Sequence, residues 1–283
     1  MRQVAVNLFS VLFPSDCRIC GEPLFELSRL PVCRECLAAI RPIGEEVCSI
    51  CGERLFSPYA LESATGEARC GMCLRIAPLF ARAVAYGSYE AGLRDLIHLL
   101  KFEGVRPASA VLGRMLAEAI SKLEAPVSSS EIIVVPVPLH RTKRRQRGFN
   151  QAELIARAAL KNLADPARFP LYPRALERKR ETASQVGLTS HQRRANLRGA
   201  FVVALPQNVK DKEVLLVDDV YTTGATVSEC ARVLLRAGAS KVYVATVART
   251  LKASAQHLEI SGEDSQTKEI SPAETSLAKA VGM

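Results

Sequence analysis

The chain has 283 residues, of which 48% are hydrophobic and 24% charged, so it can bury a substantial core and is not disordered throughout. Thirty-eight Lys and Arg against 29 Asp and Glu give a formal net charge of +9, which favours an anionic partner: nucleic acid, a phosphorylated small molecule or an acidic membrane surface. Tryptophan is absent and aromatic residues make up 5%, which argues against a large stacking platform for single-stranded nucleic acid.

The N-terminal stretch 4–13 is apolar but too short to cross a bilayer, and Asn7 and Ser10 interrupt it. No small-residue cleavage pattern follows it. We therefore expect a short packed helix rather than a secretory signal. We also expect no membrane span in the chain and a cytoplasmic location.

Eight of the nine cysteines form four C-x-x-C pairs in the first quarter of the chain. Two such pairs can present four thiolates to one zinc ion, so eight thiolates make two structural sites without an open position for substrate. A disulfide framework would need an oxidising compartment, and a redox C-x-x-C usually occurs only once. The predicted zinc ligands are Cys17, Cys20, Cys33, Cys36, Cys48, Cys51, Cys70 and Cys73.

Sequential pairing of these knuckles is the expectation, with the first two pairs holding one ion and the last two the other. An interleaved arrangement stays open. We predict a zinc module over residues 1–75, which needs its metal to fold because it can build only a small core. The ninth cysteine, Cys230, falls on a predicted helix and is expected to be a small core residue.

After residue 75 the pattern predicts alternating strands and helices, which is typical of a doubly wound, mainly parallel α/β sheet. This domain is assigned to residues 76–250, and a disordered tail to 251–283. The predicted strands are 83–89, 132–135, 214–217 and 241–247, and the predicted helices are 92–102, 108–123, 151–163 and 224–237.

A basic run at 141–147 has five cations in seven residues. It has two interpretations: a solvated helix face without function, or a groove for phosphate or polynucleotide. The nucleic-acid candidates are Lys143, Arg144, Arg145 and Arg147.

The segment 214–226 is the most informative part of the sequence. A buried strand leads into Asp218 and Asp219, then a Thr/Gly loop, then a helix. Ligands bind at the carboxyl ends of strands in open α/β sheets, and a helix N-terminus attracts phosphate. Paired carboxylates can accept hydrogen bonds from sugar hydroxyls or help to hold a divalent cation. The segment matches neither the Walker loop nor the G-x-G-x-x-G fingerprint.

These residues resemble the phosphoribosyl-diphosphate (PRPP) signature of type I phosphoribosyltransferases. Further motifs make the chain similar to the ComF family, which also carries an N-terminal cysteine-knuckle module. The resemblance covers roughly residues 10–250. The further motifs are PVPLHRTKRRQRGFNQ at 136–151, Ile97-His98-x-x-Lys101-Phe102, Gln185 and Arg194-x-Asn196.

The resemblance implies that Asp218 and Asp219 hold the ribose hydroxyls of PRPP, bound with Mg²⁺. It implies a pyrophosphate loop after residue 138 and a flexible loop at 178–198. Leu139, His140 and Arg141 are our candidates in the pyrophosphate loop. The residues implied to wrap the 5'-phosphate are Tyr221, Thr222, Thr223, Gly224, Ala225 and Thr226.

One departure from the purine-salvage enzymes is that Thr222 stands where they carry a third carboxylate. This disfavours a hypoxanthine or guanine transferase, and no catalytic residue is assigned. The family's association with natural competence implies single-stranded DNA binding and, as a further partner, a DNA-uptake helicase or channel protein. Two alternatives stay open: an active phosphoribosyltransferase with an unidentified nitrogen acceptor, and a zinc module that docks a partner protein with PRPP as regulator.

Overall fold

Four parallel strands carry the fold. The computed structural model describes residues 15–24, 28–44, 46–55, 67–123, 130–181 and 190–251. In chain order the elements are β1 (Ser15–Asp16), β2 (Pro23–Leu24), α1 (Arg34–Ala39), α2 (Gly71–Arg75), β3 (Arg82–Ser88), α3 (Ala91–Phe102), α4 (Ala108–Ser121), β4 (Ile132–Pro136), α5 (Arg141–Arg147), α6 (Gln151–Leu160), β5 (Leu176–Arg178), α7 (Ser190–Leu197), β6 (Phe201–Val203), β7 (Glu213–Tyr221), α8 (Ala225–Arg236) and β8 (Lys241–Arg249).

The strand order is β3-β8-β7-β4, with every neighbouring pair parallel. The apolar strand residues alternate between two cores on opposite faces: Leu215 and Val217 belong to one, Val214 and Leu216 to the other. Burial on both faces explains why these strands are almost continuously apolar. The predicted doubly wound α/β sheet is confirmed.

The strand β7 is longer than the prediction of 214–217. It continues through both aspartates to Tyr221, because β8 runs alongside it and pairs Asp218 with Thr246 and Tyr221 with Arg249. Backbone pairing with β8 thus outweighs the low strand preference of aspartate.

Helices cover both faces of the sheet. On one face, α3, α4 and α6 contribute buried residues to the first core. On the other face, α8 buries an apolar stripe that includes Cys230, which is fully buried as predicted. The short antiparallel pair β5–β6 adds Leu176 and Phe201 to this second core.

The cysteine-rich segment packs against the edge strand β3 on both faces of the sheet. Its first half adds Cys17, Val32 and Ile40 to the core on one face, and its second half adds Cys48 and Cys51 to the core on the other. This packing also includes two backbone hydrogen bonds, from Ile43 N–H to the carbonyl of Tyr86 at 2.7 Å and from Ala83 N–H to the carbonyl of Ile50 at 2.7 Å. An edge that could otherwise pair with another chain is therefore covered.

Residues on both sides of the predicted boundary at 75 share these two cores, and the described residues up to Leu251 belong to one compact unit. The boundary itself stays a prediction. The predicted N-terminal helix at 4–13 lies outside the described residues, as does the predicted tail at 251–283 except for its first residue, Leu251, which is buried. Among the helices described, none is long and apolar enough to cross a membrane.

We expect Gly113→Ala to lower the free energy of unfolding by about 1–3 kcal/mol. Here α4 and α6 touch, and a Cβ on Gly113 would overlap the Cβ of Ala158 and lie 2.9 Å from the backbone nitrogen of Ala159. The gain in helix propensity is smaller than this overlap costs, because backbone atoms cannot rotate away.

The measurement is urea unfolding. Gly44→Ala is the matched control, because a Cβ there meets nothing within 4 Å and its effect should stay within about 0.5 kcal/mol. Equal midpoints for the two variants would show that α4 and α6 are not packed this closely.

Candidate functional site

A cleft of about 260 Å³ opens at the carboxyl end of the parallel strands, where β7 gives way to the loop before α8. Its lining comes from several separate parts of the chain, so the topology gathers residues far apart in sequence. The lining residues are Tyr89, Lys101, Val137, Pro138, Leu139, Gln151, Arg178, Asp218, Asp219, Val220, Thr222 and Thr226.

The two adjacent aspartates have different surroundings. Asp219 is buried, and its Oδ2 lies 2.6 Å from the Nζ of Lys101, which α3 supplies. Asp218 is half-buried, and its Oδ1 accepts a hydrogen bond from the N–H of Asp219 at 2.9 Å. One carboxylate is therefore neutralised by a lysine, while the other faces the cleft with less compensation.

Burial in the cleft, reinforced by the negative charge of Asp219, raises the pKa of Asp218 from 3.8 to about 8, although Lys101 opposes the shift. The charged form of the Asp218 carboxyl is therefore disfavoured in the folded protein. Binding of a cation or a hydroxyl donor to the carboxylate form is then linked to release of a proton.

The loop between β7 and α8 rests on the ring of Tyr221. This ring is buried, lies 6.3 Å edge-on from Phe80, and burial raises its pKa to about 12. Gly224 has a φ of 75°, and a Cβ there would overlap the hydroxyl and ring of Tyr221. Glycine is therefore required at this position.

The remaining loop residues do not all face the same cleft. Thr222 and Thr226 line the cleft with the aspartates. Thr223 is exposed, and Ala225 lines a separate cleft beside Arg198 and Arg232. The predicted phosphate-wrapping segment thus has two of its threonines toward the aspartates and Tyr221 beneath the loop.

The pyrophosphate-loop candidates lie where β4 ends and α5 begins. Leu139 lines the cleft. His140 is the N-cap of α5, its Nδ1 accepts a hydrogen bond from the N–H of Thr142 at 3.4 Å, and Nδ1 lies 3.8 Å from Glu181. Arg141 is exposed at the first position of the helix.

The basic run forms the helix α5, and Lys143, Arg144 and Arg145 are all exposed on it. Arg147, its last residue, is half-buried and donates a hydrogen bond at 2.5 Å to the side-chain oxygen of Gln151, which lines the cleft. The helix thus begins two residues after the cleft-lining Leu139, and its last residue, Arg147, contacts the cleft lining through Gln151.

The eight knuckle cysteines gather into two groups of four, pairing 17, 20, 33 and 36 in one and 48, 51, 70 and 73 in the other. The sequential pairing is confirmed. The sulfurs of Cys17 and Cys36 lie 3.9 Å apart, and those of Cys51 and Cys70 lie 3.7 Å apart. A tetrahedron with Zn–S bonds of about 2.3 Å has edges of about 3.8 Å, so both groups fit zinc.

Their chemistry favours metal over disulfides. All nine cysteines are free thiols, and the sulfur separations far exceed the roughly 2.05 Å of a disulfide bond. Hydrogen bonds among these thiols lower the pKa of Cys48 and raise those of Cys51 and Cys73. The case for zinc therefore rests on the four-sulfur geometry.

Comparison with known proteins assigns both parts of the chain. A double zinc ribbon domain model matches residues 8–74, and a phosphoribosyl transferase domain model matches residues 151–278. The chain is 35% identical over 241 residues to DNA utilization protein YhgH of Salmonella typhimurium, covering 84% of this chain and 98% of that protein.

It is also 31% identical to Competence protein F of Haemophilus influenzae, over 77% of this chain and 96% of that protein. Competence protein ComFC of Streptococcus pneumoniae is 29% identical, with 77% of this chain and 87% of that protein covered. The chain belongs to the ComF family.

A buried arginine connects the two parts of this ComF chain. Arg249, the last residue of β8, donates to the carbonyl of Cys51 at 2.5 Å and to Oε2 of Glu53 at 3.0 Å. Its guanidinium also lies 3.7 Å from the sulfur of Cys51 and 4.3 Å from the centre of the Tyr221 ring. The second cysteine site and the loop before α8 therefore share one side chain.

Sequence reasoning gave no individual site role to Lys101, Arg178 or Gln151, although all three line the cleft. Lys101 and Gln151 entered only as members of family motifs, and Arg178 only as the first residue of the implied flexible loop. Arg178 and Gln151 approach the aspartates only through the tertiary fold. Their sequence neighbours could not indicate this.

We expect Arg249→Met to lower the free energy of unfolding by about 3–5 kcal/mol, because the buried carboxylate of Glu53 loses this guanidinium. The same variant should weaken zinc binding at one of the two sites by about tenfold or more. Urea unfolding and competition with a chromophoric chelator measure the two effects.

The control is Lys212→Met, which breaks an exposed pair with Glu131 and should cost at most about 1 kcal/mol with zinc affinity unchanged. If Arg249→Met left both zinc sites at full affinity, the arginine would have no part in holding the second site.

Proposed function

We propose that this protein binds PRPP with Mg²⁺ in the cleft at the end of β7 and binds single-stranded DNA beside it, in the cytoplasm, as part of DNA uptake or use. The observation that carries the proposal is the cleft itself. It places two carboxylates, two threonine hydroxyls and the cations of Lys101 and Arg178 around one space.

Each group suits one part of PRPP. Carboxylates accept hydrogen bonds from the ribose hydroxyls. The threonines and the N-terminus of α8 offer donors to the 5'-phosphate. Lys101 and Arg178 supply positive charge for the diphosphate. Asp218 and Asp219 are hard oxygen ligands and would hold Mg²⁺, which screens the charge of the diphosphate.

Two observations support the DNA part of the proposal. The relatives carry the names DNA utilization protein and Competence protein, and α5 exposes a row of cations next to the cleft. Binding through such cations follows phosphates rather than bases, so it should be strongly dependent on salt.

We expect the double substitution Asp218→Asn and Asp219→Asn to weaken binding of magnesium-PRPP by roughly a hundredfold or more, because hydrogen bonds to charged groups contribute about 1.5–3 kcal/mol each. Titration calorimetry measures the affinity. In the unaltered protein the heat at about pH 7 should also vary with the buffer, because binding is linked to release of a proton from Asp218.

Asp165→Asn is the control, since Asp165 is exposed and is not one of the residues that line the cleft. Unchanged affinity in the double variant would remove the aspartates from PRPP binding. The same samples, screened with nucleobases and amines, distinguish a binding protein from an active phosphoribosyltransferase, because only the latter releases pyrophosphate when an acceptor is present.

Replacing Lys143, Arg144 and Arg145 with alanine should weaken single-stranded DNA binding and reduce the slope of log affinity against log salt by about 0.7 for each phosphate that the protein no longer neutralises. Fluorescence anisotropy of a labelled oligothymidylate, repeated over a range of salt, gives both quantities. A control variant removes three exposed lysines away from α5: Lys122, Lys161 and Lys210. Equal slopes for the two triple variants would show that the exposed face of α5 is solvated and does not bind DNA.

A further inference from the structure

An exposed aromatic ring belongs to the residue directly after Lys101, which lines the cleft. Phe102, the last residue of α3, is 70% exposed, although the leucines and the isoleucine that precede it in this helix are buried. It directly follows Lys101, whose ammonium contacts Asp219. An exposed phenylalanine alone carries no functional meaning, so its surroundings decide the interpretation.

The ring of Phe102 contacts two side chains that are themselves connected to the cleft. The ring of His98 lies edge-on to Phe102, with the ring centres 5.1 Å apart. His98 in turn shares a 2.9 Å hydrogen bond with the hydroxyl of Tyr89, which lines the cleft. The guanidinium of Arg147 lies 5.7 Å from the centre of the Phe102 ring. Phe102 thus lies against an imidazole and near a cation, and each of these groups hydrogen-bonds a residue that lines the cleft.

We propose that Phe102, with Arg147 and His98, is a stacking platform for one nucleobase. An aromatic face beside an arginine is the combination that stacks unpaired bases in proteins that bind single strands. The proposal rests on the proposed function and deepens it, because it names what lies next to the PRPP cleft. Overall the chain is poor in aromatics, and one platform needs only this ring.

The position of α5 matches this use. Its first residue follows the cleft-lining Leu139 by two positions, and its last, Arg147, reaches Phe102. The residues between these ends span about 10 Å. A strand whose phosphates lie along the exposed cations of α5 therefore has a base within reach of Phe102. A free acceptor base would have the same chemistry and the same platform.

The experiment compares an oligothymidylate with an abasic oligonucleotide of equal length, which has the same phosphates without bases. The full-length protein should bind the oligothymidylate about fivefold to a hundredfold more tightly. Phe102→Ala should lose this preference and keep its salt slope, while Phe102→Tyr should retain it. Ile76→Ala is the matched control, since Ile76 is also exposed, at 57%, but belongs to the segment after α2.

Photo-crosslinking identifies the source of the base. Oligonucleotides carrying 5-iodouracil, and free 5-iodouracil with magnesium-PRPP, are irradiated with the protein, and the crosslinked peptide is mapped. Crosslinking of the oligonucleotide to the peptide with Phe102 supports a base within a strand, and crosslinking of free 5-iodouracil supports an acceptor base. Absence of both crosslinks overturns the platform.

The outcomes separate the two proposals. Equal affinity for both oligonucleotides in the unaltered protein excludes a base within a strand from the platform and leaves DNA binding intact, and the crosslinking of free 5-iodouracil then decides the platform. Lack of binding to either oligonucleotide overturns the DNA part of the proposed function, and the free 5-iodouracil then decides the platform alone. Loss of the preference in Ile76→Ala as well as Phe102→Ala would also overturn it, because the effect would not belong to this ring.

Discussion

The guanidinium of Arg249 makes the interactions on which the arrangement of the whole site depends. It hydrogen-bonds the backbone and sulfur of Cys51 on one side and covers the ring of Tyr221 on the other. Tyr221 supports Gly224, from which α8 begins. The cysteine-rich segment therefore supports the loop before α8 through direct contacts, and is not a separate domain joined by a linker.

The cysteine-rich segment also solves a problem that the sheet creates. A parallel sheet with helices on both faces still has two open edges. At one edge the segment lies against β3 from both faces. At the other, the N–H of Tyr172 donates to the carbonyl of Val134 in β4 at 2.8 Å. Both outer edges of the four-stranded sheet, at β3 and at β4, are thus at least partly covered against pairing with other chains.

Much of this could be predicted from the sequence because its signals are local. The spacing of the cysteines identified both four-sulfur groups, and the apolar runs identified the four strands of the sheet. The extension of β7 through Asp218 could not be predicted, because β8 imposes it across the sheet. The ion pair of Lys101 with Asp219 and the exposure of Phe102 depend equally on tertiary packing.

The strand order has a consequence for synthesis on the ribosome. Of the four strands in this sheet, β8 is the last to emerge, yet it lies between β3 and β7. Until it is translated, the nascent chain holds these two strands with unpaired inner edges, and the buried carboxylate of Glu53 lacks its arginine partner. The nascent sheet is therefore completed only when β8 is added. A chain that terminated before residue 249 would keep β3 and the β4–β7 pair apart, with open strand edges that chaperones or proteases can recognise.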